Sequence, residues 1–233
     1  MGADCVIGPH VYLTGQTTIG ERNQFFAGCV IGEAPQDLKY KGAPTGVRIG
    51  SGNVFREHVT VHRSSELGTE TVIGSDNFLM ANSHVAHNCH IGDRCIFANG
   101  VLLGGHVSVD NGAFLSGNAV VHQFVRVGKL ALLQGVSGIS KDLPPYTIGC
   151  EINMLCGVNV VGMRRAGVTA ADRLELKRLY RALFREGANL RAAVEAAQNE
   201  FRSAPAQDLL KFIGASKRGV CSDNGQSNET GTE

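Results

Sequence analysis

Val85-Ala86-His87-Asn88-Cys89-His90-Ile91-Gly92-Asp93-Arg94-Cys95-Ile96-Phe97 sets three large apolar residues, Val85, Ile91 and Phe97, six positions apart. Followed backwards, the same step reaches Leu79, Ile73, Leu67, Val61, Phe55 and Ile49, and then Ile31, Phe25, Ile19, Leu13 and Ile7. Followed forwards, it passes Leu103, Val109, Leu115, Val121, Val127 and Leu133 to Ile139. Between Ile7 and Ile139 only Asp37 is polar on this step and only Ala43 is small. Ile-Gly or Val-Gly pairs begin at 7, 19, 31, 49, 73, 91 and 127, every gap a multiple of six. An ordinary β-sandwich alternates with period two and holds no fixed six. A hexapeptide period instead marks a β-helix, in which stacked coils bury one continuous aliphatic column. One apolar residue in six fits a three-faced prism of 18-residue coils, with parallel strands about 4.8 Å apart. The Gly after each aliphatic residue is expected to supply turn conformations that strain other residues.

The step breaks at Glu33–Pro44, which carries two prolines and reads as a loop ejected from the coil. A softer interruption, Arg63–Thr69, reads as a second. Excursions of this kind tend to carry function. The period ends near Lys141-Asp142-Leu143-Pro144-Pro145-Tyr146. Beyond it, Thr169-x-x-Asp172 has the form of a helix start, with Leu176, Leu179, Tyr180, Leu183 and Phe184 on one face and Gly187 to end it. A second helix is expected from Leu190 to Phe201, and a third after Pro205 with Leu209, Leu210, Phe212 and Ile213. The domain reading is therefore a β-helix over 1–160, a helical domain over 161–216 and a disordered tail over 217–233.

Composition narrows the function classes. The formal charge is +1, so nothing global points to nucleic acid or a membrane surface. No charged leader precedes an apolar core, and no run approaches the roughly 18 apolar residues of a membrane span, so a cytoplasmic protein is expected. The seven cysteines form no C-x-x-C pair, and an odd count suits buried reduced thiols. Charge divides with the fold: residues 1–160 carry 10 basic and 12 acidic side chains, residues 161–218 carry 12 basic and 6 acidic. A basic helical cap is suited to an acidic partner, although a solvated helix face has the same composition.

With 18 residues per coil, His87, Gly105 and Gln123 fall in one axial column, flanked by His106 and His122. Three histidines and a glutamine thus gather on one edge within about 10 Å. His84 and His90 differ by six and belong on different faces, so they cannot share a metal within one protomer. An imidazole near its ordinary pKa of about 6.5 suits a general base for a hydroxyl. Gly105, one coil away, can offer an unhindered amide to a developing oxyanion. Base and amide together are the apparatus of acyl transfer. A Zn site between protomers and a catalytically silent solenoid are the alternatives from other classes.

These residues resemble the UDP-N-acetylglucosamine acyltransferases of lipid A synthesis. The matching stretches are Gly32-Glu33 with Gln36-Asp37-Leu38-Lys39-Tyr40, Val59-Thr60-Val61-His62-Arg63 and Gly74-Ser75-Asp76-Asn77. They continue with His84-Val85-Ala86-His87, Gly105-His106-Val107-Ser108-Val109, Ala119-Val120-Val121-His122-Gln123-Phe124, Pro144-Pro145-Tyr146 and Gly157-Val158-Asn159. The resemblance spans residue 1 to about 218, and implies about two further coils ahead of the position of Met1. It implies a left-handed parallel β-helix with a C-terminal helical domain, forming a homotrimer with active sites between neighbouring prisms. It implies transfer of a 3-hydroxyacyl chain from the phosphopantetheine of acyl carrier protein to the 3-position of UDP-N-acetylglucosamine, with no cofactor, no metal and no membrane insertion. By the same resemblance His87 is the general base and Gly105 the oxyanion amide. Asp37, Lys39, His84, His106, His122 and Gln123 contact sugar, diphosphate or acyl chain. Asn159 and Arg165 lie on the nucleotide side, and Gly135 closes the acyl groove. Asn88 stands where members often have Asp, and Val161 and Ala166 where some have polar or basic residues. Within the class, the alternative is a hexapeptide acyltransferase using another nucleotide sugar or an amine; outside it, a trimeric β-helix Zn carbonic anhydrase.

Overall fold

The computed structural model describes residues 1–186 and 189–223. Three parallel sheets wind around one core as a left-handed β-helix. The first face runs from Val6–Ile7 to Leu132–Leu133, the second from Tyr12–Leu13 to Gly138–Ile139, the third from Gln16–Ile19 to Arg126–Val127. The six-residue step supplies the inward residues: Phe25, Phe55, Leu79, Phe97, Leu115 and Leu133 stack down the first face, all buried. Phe25 and Phe55 lie ring on ring at 4.7 Å. Smaller buried residues, among them Cys29, Cys89, Cys95, Ala113, Ala119 and Ala131, fill the corners. An asparagine ladder adds polar order at another corner: Asn53 Nδ2 donates to Asn23 Oδ1 at 2.9 Å, and the Asn77 amide to Asn53 Oδ1 at 2.9 Å.

The register measures both excursions. Leu79 pairs with Phe97, the regular 18 residues on, but Phe55 pairs with Leu79 and Phe25 with Phe55. The intervals of 24 and 30 accommodate an extra 6 residues near 63–69 and an extra 12 near 33–45. Leu67, although on the six-residue step, is therefore ejected with its loop and is 73% exposed.

Of the glycines in the Ile-Gly and Val-Gly pairs, Gly32 takes the expected positive φ, at 86°, and the others do not. Gly20, Gly50, Gly74 and Gly92 do not adopt positive φ; a Cβ on Gly50 or Gly74 would instead lie 2.6 Å from a carbonyl oxygen of the next coil. The left-handed residue falls three positions after the aliphatic one, as at Asp76, Asn82, Asn88, Arg94 and His106, with φ between 54° and 61°. Close packing of coils, rather than turn conformation, selects those glycines.

After Ile139 the first sheet is extended by Thr147–Cys150 and its antiparallel partner Met154–Val158. Four helices follow: α1 (Val160–Arg165), α2 (Ala170–Phe184), α3 (Leu190–Ala197) and α4 (Ala204–Gly214). Helix α1 was not legible from the apolar pattern. Thr169 caps α2 by accepting the Asp172 amide at 3.1 Å, as expected. Helix α2 ends at Phe184, ahead of Gly187, which lies outside the described residues. Helix α3 stops four residues short of Phe201, and beyond it the Glu175 carboxylate accepts the amides of Arg202, at 2.7 Å, and Ser203. Buried Tyr146, Met163, Leu179, Phe201, Leu210 and Ile213 form this second core. Within 217–223, expected to begin the tail, Val220 and Cys221 are instead buried, the Cys221 amide donates to the Asp142 carbonyl, and Ser222–Asp223 pairs parallel with Met154–Leu155. The rest of that expected tail, 224–233, lies outside the described residues.

Candidate active site

His87 projects from the corner between the second and third faces. The corner is tied axially, the His106 amide donating to the His87 carbonyl and the Phe124 amide to the Gly105 carbonyl, each at 2.9 Å. This places Gly105 against the imidazole: a Cβ there would meet Cε1 of His87 at 2.6 Å and Nε2 at 2.7 Å. Only glycine leaves the ring in place. Nε2 of His87 and the amide of Gly105 have no hydrogen-bond partner among the described residues, and both residues line one cleft. On its other side, Nδ1 of His87 lies 2.8 Å from Asn88 Oδ1.

Two open clefts meet at His87. One, of about 690 Å³, is lined by His84, His87, Gly105, His122 and Gln123 and by apolar Leu102, Val120, Gly138, Ile139 and Ile152. The other, about 730 Å³, is lined by Asp37, Lys39, Glu66, His87, His106 and Gln123, with Gln36, Tyr40 and Phe124. Eight of the expected residues, Asp37, Lys39, His84, His87, Gly105, His106, His122 and Gln123, therefore converge. The ejected loop reaches the site because Arg63 holds it, donating from Nη1 to the Gly32 carbonyl at 2.8 Å and from Nε to the Tyr40 hydroxyl at 3.2 Å.

The surrounding histidines are tuned toward neutrality. Burial, helped by the neighbouring His62 and His87, lowers His84 to about 4, and its Nδ1 meets Thr60 Oγ1 at 2.7 Å. Burial also lowers His62, whose ring meets that of His84 edge-on at 4.9 Å. His106 is lowered, chiefly by burial and then by His87, against the opposing pull of Glu66 and Asp37; its ring stacks on Phe124 and stands at right angles to His87 at 5.3 Å. Such a setting favours uncharged imidazoles around His87.

Three expected residues line neither cleft. Gly135 is exposed at the corner between the first and second faces. Arg165 is exposed in the last turn of α1. Asn159 is buried and spent on the fold: Oδ1 accepts the Gly162 amide at 2.9 Å and Nδ2 donates to the Leu130 carbonyl at 2.9 Å, capping α1. Conversely, the sequence reading gave no site role to Leu102, Val120 and Ile152, although Leu102 and Val120 are apolar at outward positions one and two coils after His84, a signal the repeat contains. His84 and His90 sit on different faces as expected. Among the described residues no cluster of three or more His, Cys, Asp or Glu side chains is arranged to hold a metal ion.

Two family models match the chain: bacterial transferase hexapeptide (six repeats) over 70–105, and UDP N-acetylglucosamine O-acyltransferase, domain 2, over 142–221. The acyl-[acyl-carrier-protein]--UDP-N-acetylglucosamine O-acyltransferase of Gloeothece citriformis is 42% identical over 204 residues, 87% of this chain and 74% of that protein. Its counterpart in a Synechocystis species is 46% identical over 187 residues, 79% of this chain and 67% of that one. The solved structure of LpxA from Acinetobacter baumannii superposes with a TM-score of 0.90 at 36% identity, covering 94% of this chain and 87% of the other. With that identity carried through both the coils and the helical cap, the chain belongs to the UDP-N-acetylglucosamine O-acyltransferase family.

Proposed function

We propose that this enzyme moves a 3-hydroxyacyl group from acyl carrier protein to the 3-hydroxyl of UDP-N-acetylglucosamine, the first step of lipid A synthesis. The observation that carries the mechanism is the pairing of a bare His87 Nε2 with the free Gly105 amide where an apolar cleft meets a polar one. Nε2 takes the proton as the sugar oxygen attacks the thioester carbonyl. The resulting oxyanion receives the Gly105 N–H, an arrangement worth roughly 10²–10³ in rate where single donors have been removed. Collapse expels the phosphopantetheine sulfur, which takes the proton back from His87. Donor, acceptor and imidazole complete this balance, so no cofactor is expected.

Leu102, Val120, Gly138 and Ile152 suit the acyl chain; Asp37, Lys39, His106 and Gln123 suit sugar and diphosphate, with His84 and His122 at the boundary. In this reading Gly135 and Arg165 act across the interface of a homotrimer, and Asn159 serves by holding the helix that carries Arg165. The basic face of α2, with Lys177 and Arg181 and the capping Arg185 just beyond it, suits the acidic carrier protein. A cytoplasmic reaction goes with these substrates; no described helix is long and apolar enough to cross a membrane. The test is acyl transfer from a panel of 3-hydroxyacyl carrier proteins to UDP-N-acetylglucosamine, run with wild type and His87→Ala. Transfer by the wild type alone is expected; a wild type inert with every donor overturns the reading.

A further inference from the structure

The second excursion carries a polar lock whose consequence reaches the reactive nitrogen. A side-chain amide can be told end from end only by partners of fixed polarity. The backbone N–H of Ser65 is such a partner, since it can only donate, and it points at one atom of the Asn88 amide from 3.0 Å. That atom is therefore Oδ1. It also receives the Ser65 hydroxyl at 2.9 Å and lies 2.8 Å from His87 Nδ1. An amide oxygen only accepts, so Nδ1 carries the hydrogen. A neutral imidazole has one N–H, which leaves the lone pair on Nε2, beside Gly105. The other end of the amide is held too: Nδ2 donates to Ser64 Oγ at 2.5 Å and to Thr69 Oγ1 at 3.4 Å, and Thr69 Oγ1 donates to the Glu66 carbonyl at 2.6 Å. Asn88 is only 7% exposed, and its φ of 60° is one that asparagine tolerates.

We infer that Asn88 is a positioning residue, polarised by the Ser65 backbone, that fixes the His87 proton on Nδ1 without placing a charge beside the ring. The inference rests on the reading of His87 as general base. A carboxylate at this position would hold the same tautomer but favour imidazolium, so the amide separates orientation from electrostatics. The second loop is thereby part of the catalytic geometry although none of its side chains touches His87 Nδ1 directly.

The experiment uses the full chain labelled with nitrogen-15, reading the His87 ring by long-range proton–nitrogen correlation at about pH 8, where neutral rings dominate. His87→Ala assigns the signal. The wild type should show Nδ1 protonated and Nε2 bare. Asn88→Leu should move the proton to Nε2 in part or whole and lower kcat about 10²-fold, the low end of what a placed base contributes, with KM unchanged. Asn88→Asp should keep the Nδ1 proton and recover kcat in alkali, while the acid limb of its pH–rate profile moves to higher pH. The other titratable groups around His87 are His62, His84, His106, His122, Asp37, Lys39, Tyr40 and Glu66, and the substitution leaves each of them in place. A wild-type Nε2–H, an Asn88→Leu variant with unchanged spectrum and kcat, or an unshifted acid limb in Asn88→Asp would each overturn the inference. Should Asn88→Leu fail to fold, the wild-type spectrum and the Asn88→Asp profile decide. The spectrum does not depend on turnover, so failure of the lock and failure of the proposed reaction are told apart.

Discussion

At residue 105 a single methyl group tests how the site is built. A Cβ there would stand 2.6 Å from the His87 ring, so Gly105→Ala must displace the imidazole or tilt the amide. Either movement should cost kcat at least tenfold with folding intact, read as kcat and KM alongside a thermal melt. His87→Ala should cost 10²–10⁴ in kcat with little change in KM, because a base acts in the transition state rather than in binding. The axial partnership of His87, Gly105 and Gln123 was legible because an 18-residue coil converts sequence spacing directly into contact. Asn159 was not, because an asparagine before a helix has the same appearance whether it meets a ligand or caps the helix, and here the Gly162 amide takes its oxygen. Asn88 could be flagged by type, but the polarity of its amide depends on Ser65, 23 residues away across a loop whose path the repeat does not specify.

The two excursions are the elements that turn a periodic scaffold into a site. The first shows as a break in the six-residue step, whereas the second keeps Leu67 in step and is measured only by the strand register; the anchors that fold them back were legible in neither. Arg63 is the hinge pin of the first: it binds the Gly32 carbonyl and the Tyr40 hydroxyl, and its guanidinium lies 5.7 Å from the Tyr40 ring centre. Arg63→Ala should free the loop bearing Asp37 and Lys39. The expected result is a rise of about tenfold in KM for the nucleotide sugar, matching the loss of roughly 1.4 kcal/mol of positioning, with a small change in melting temperature. An unchanged KM would separate the loop from substrate binding. At the C-terminal end the misjudged element was the tail. Ser, Asn, Gly and Thr make up most of its composition, but Val220 and Cys221 are buried there and the strand beside them is tied to Asp142 and Asn153 by backbone bonds. Average polarity hides so short an anchored segment.

For the whole molecule, one column of aliphatic residues commits the chain to a prism, and the prism leaves apolar surface on its second face. Leu102, Val120 and Ile152 are 45%, 43% and 68% exposed along the cleft. A homotrimer, expected if neighbouring prisms cover this face, would appear by light scattering at three times the protomer mass. The cluster of depressed histidines carries an expectation for how stability responds to acid. His84 has a folded value of about 4 against an ordinary 6.5, and His62 and His106 are lowered in the same direction. A histidine lowered on folding binds its proton more readily in the unfolded chain, so stability is full above about pH 6.5 and is lost as pH falls toward 4. His84 alone can remove on the order of 2–3 kcal/mol across that window, after allowing for its open cleft. Asp110, raised chiefly by desolvation, works the opposite way. The urea midpoint should therefore fall between pH 7 and 4.5, and His84→Gln should flatten part of that fall. An equally steep dependence in the variant would show that the acid response originates elsewhere than in this histidine cluster.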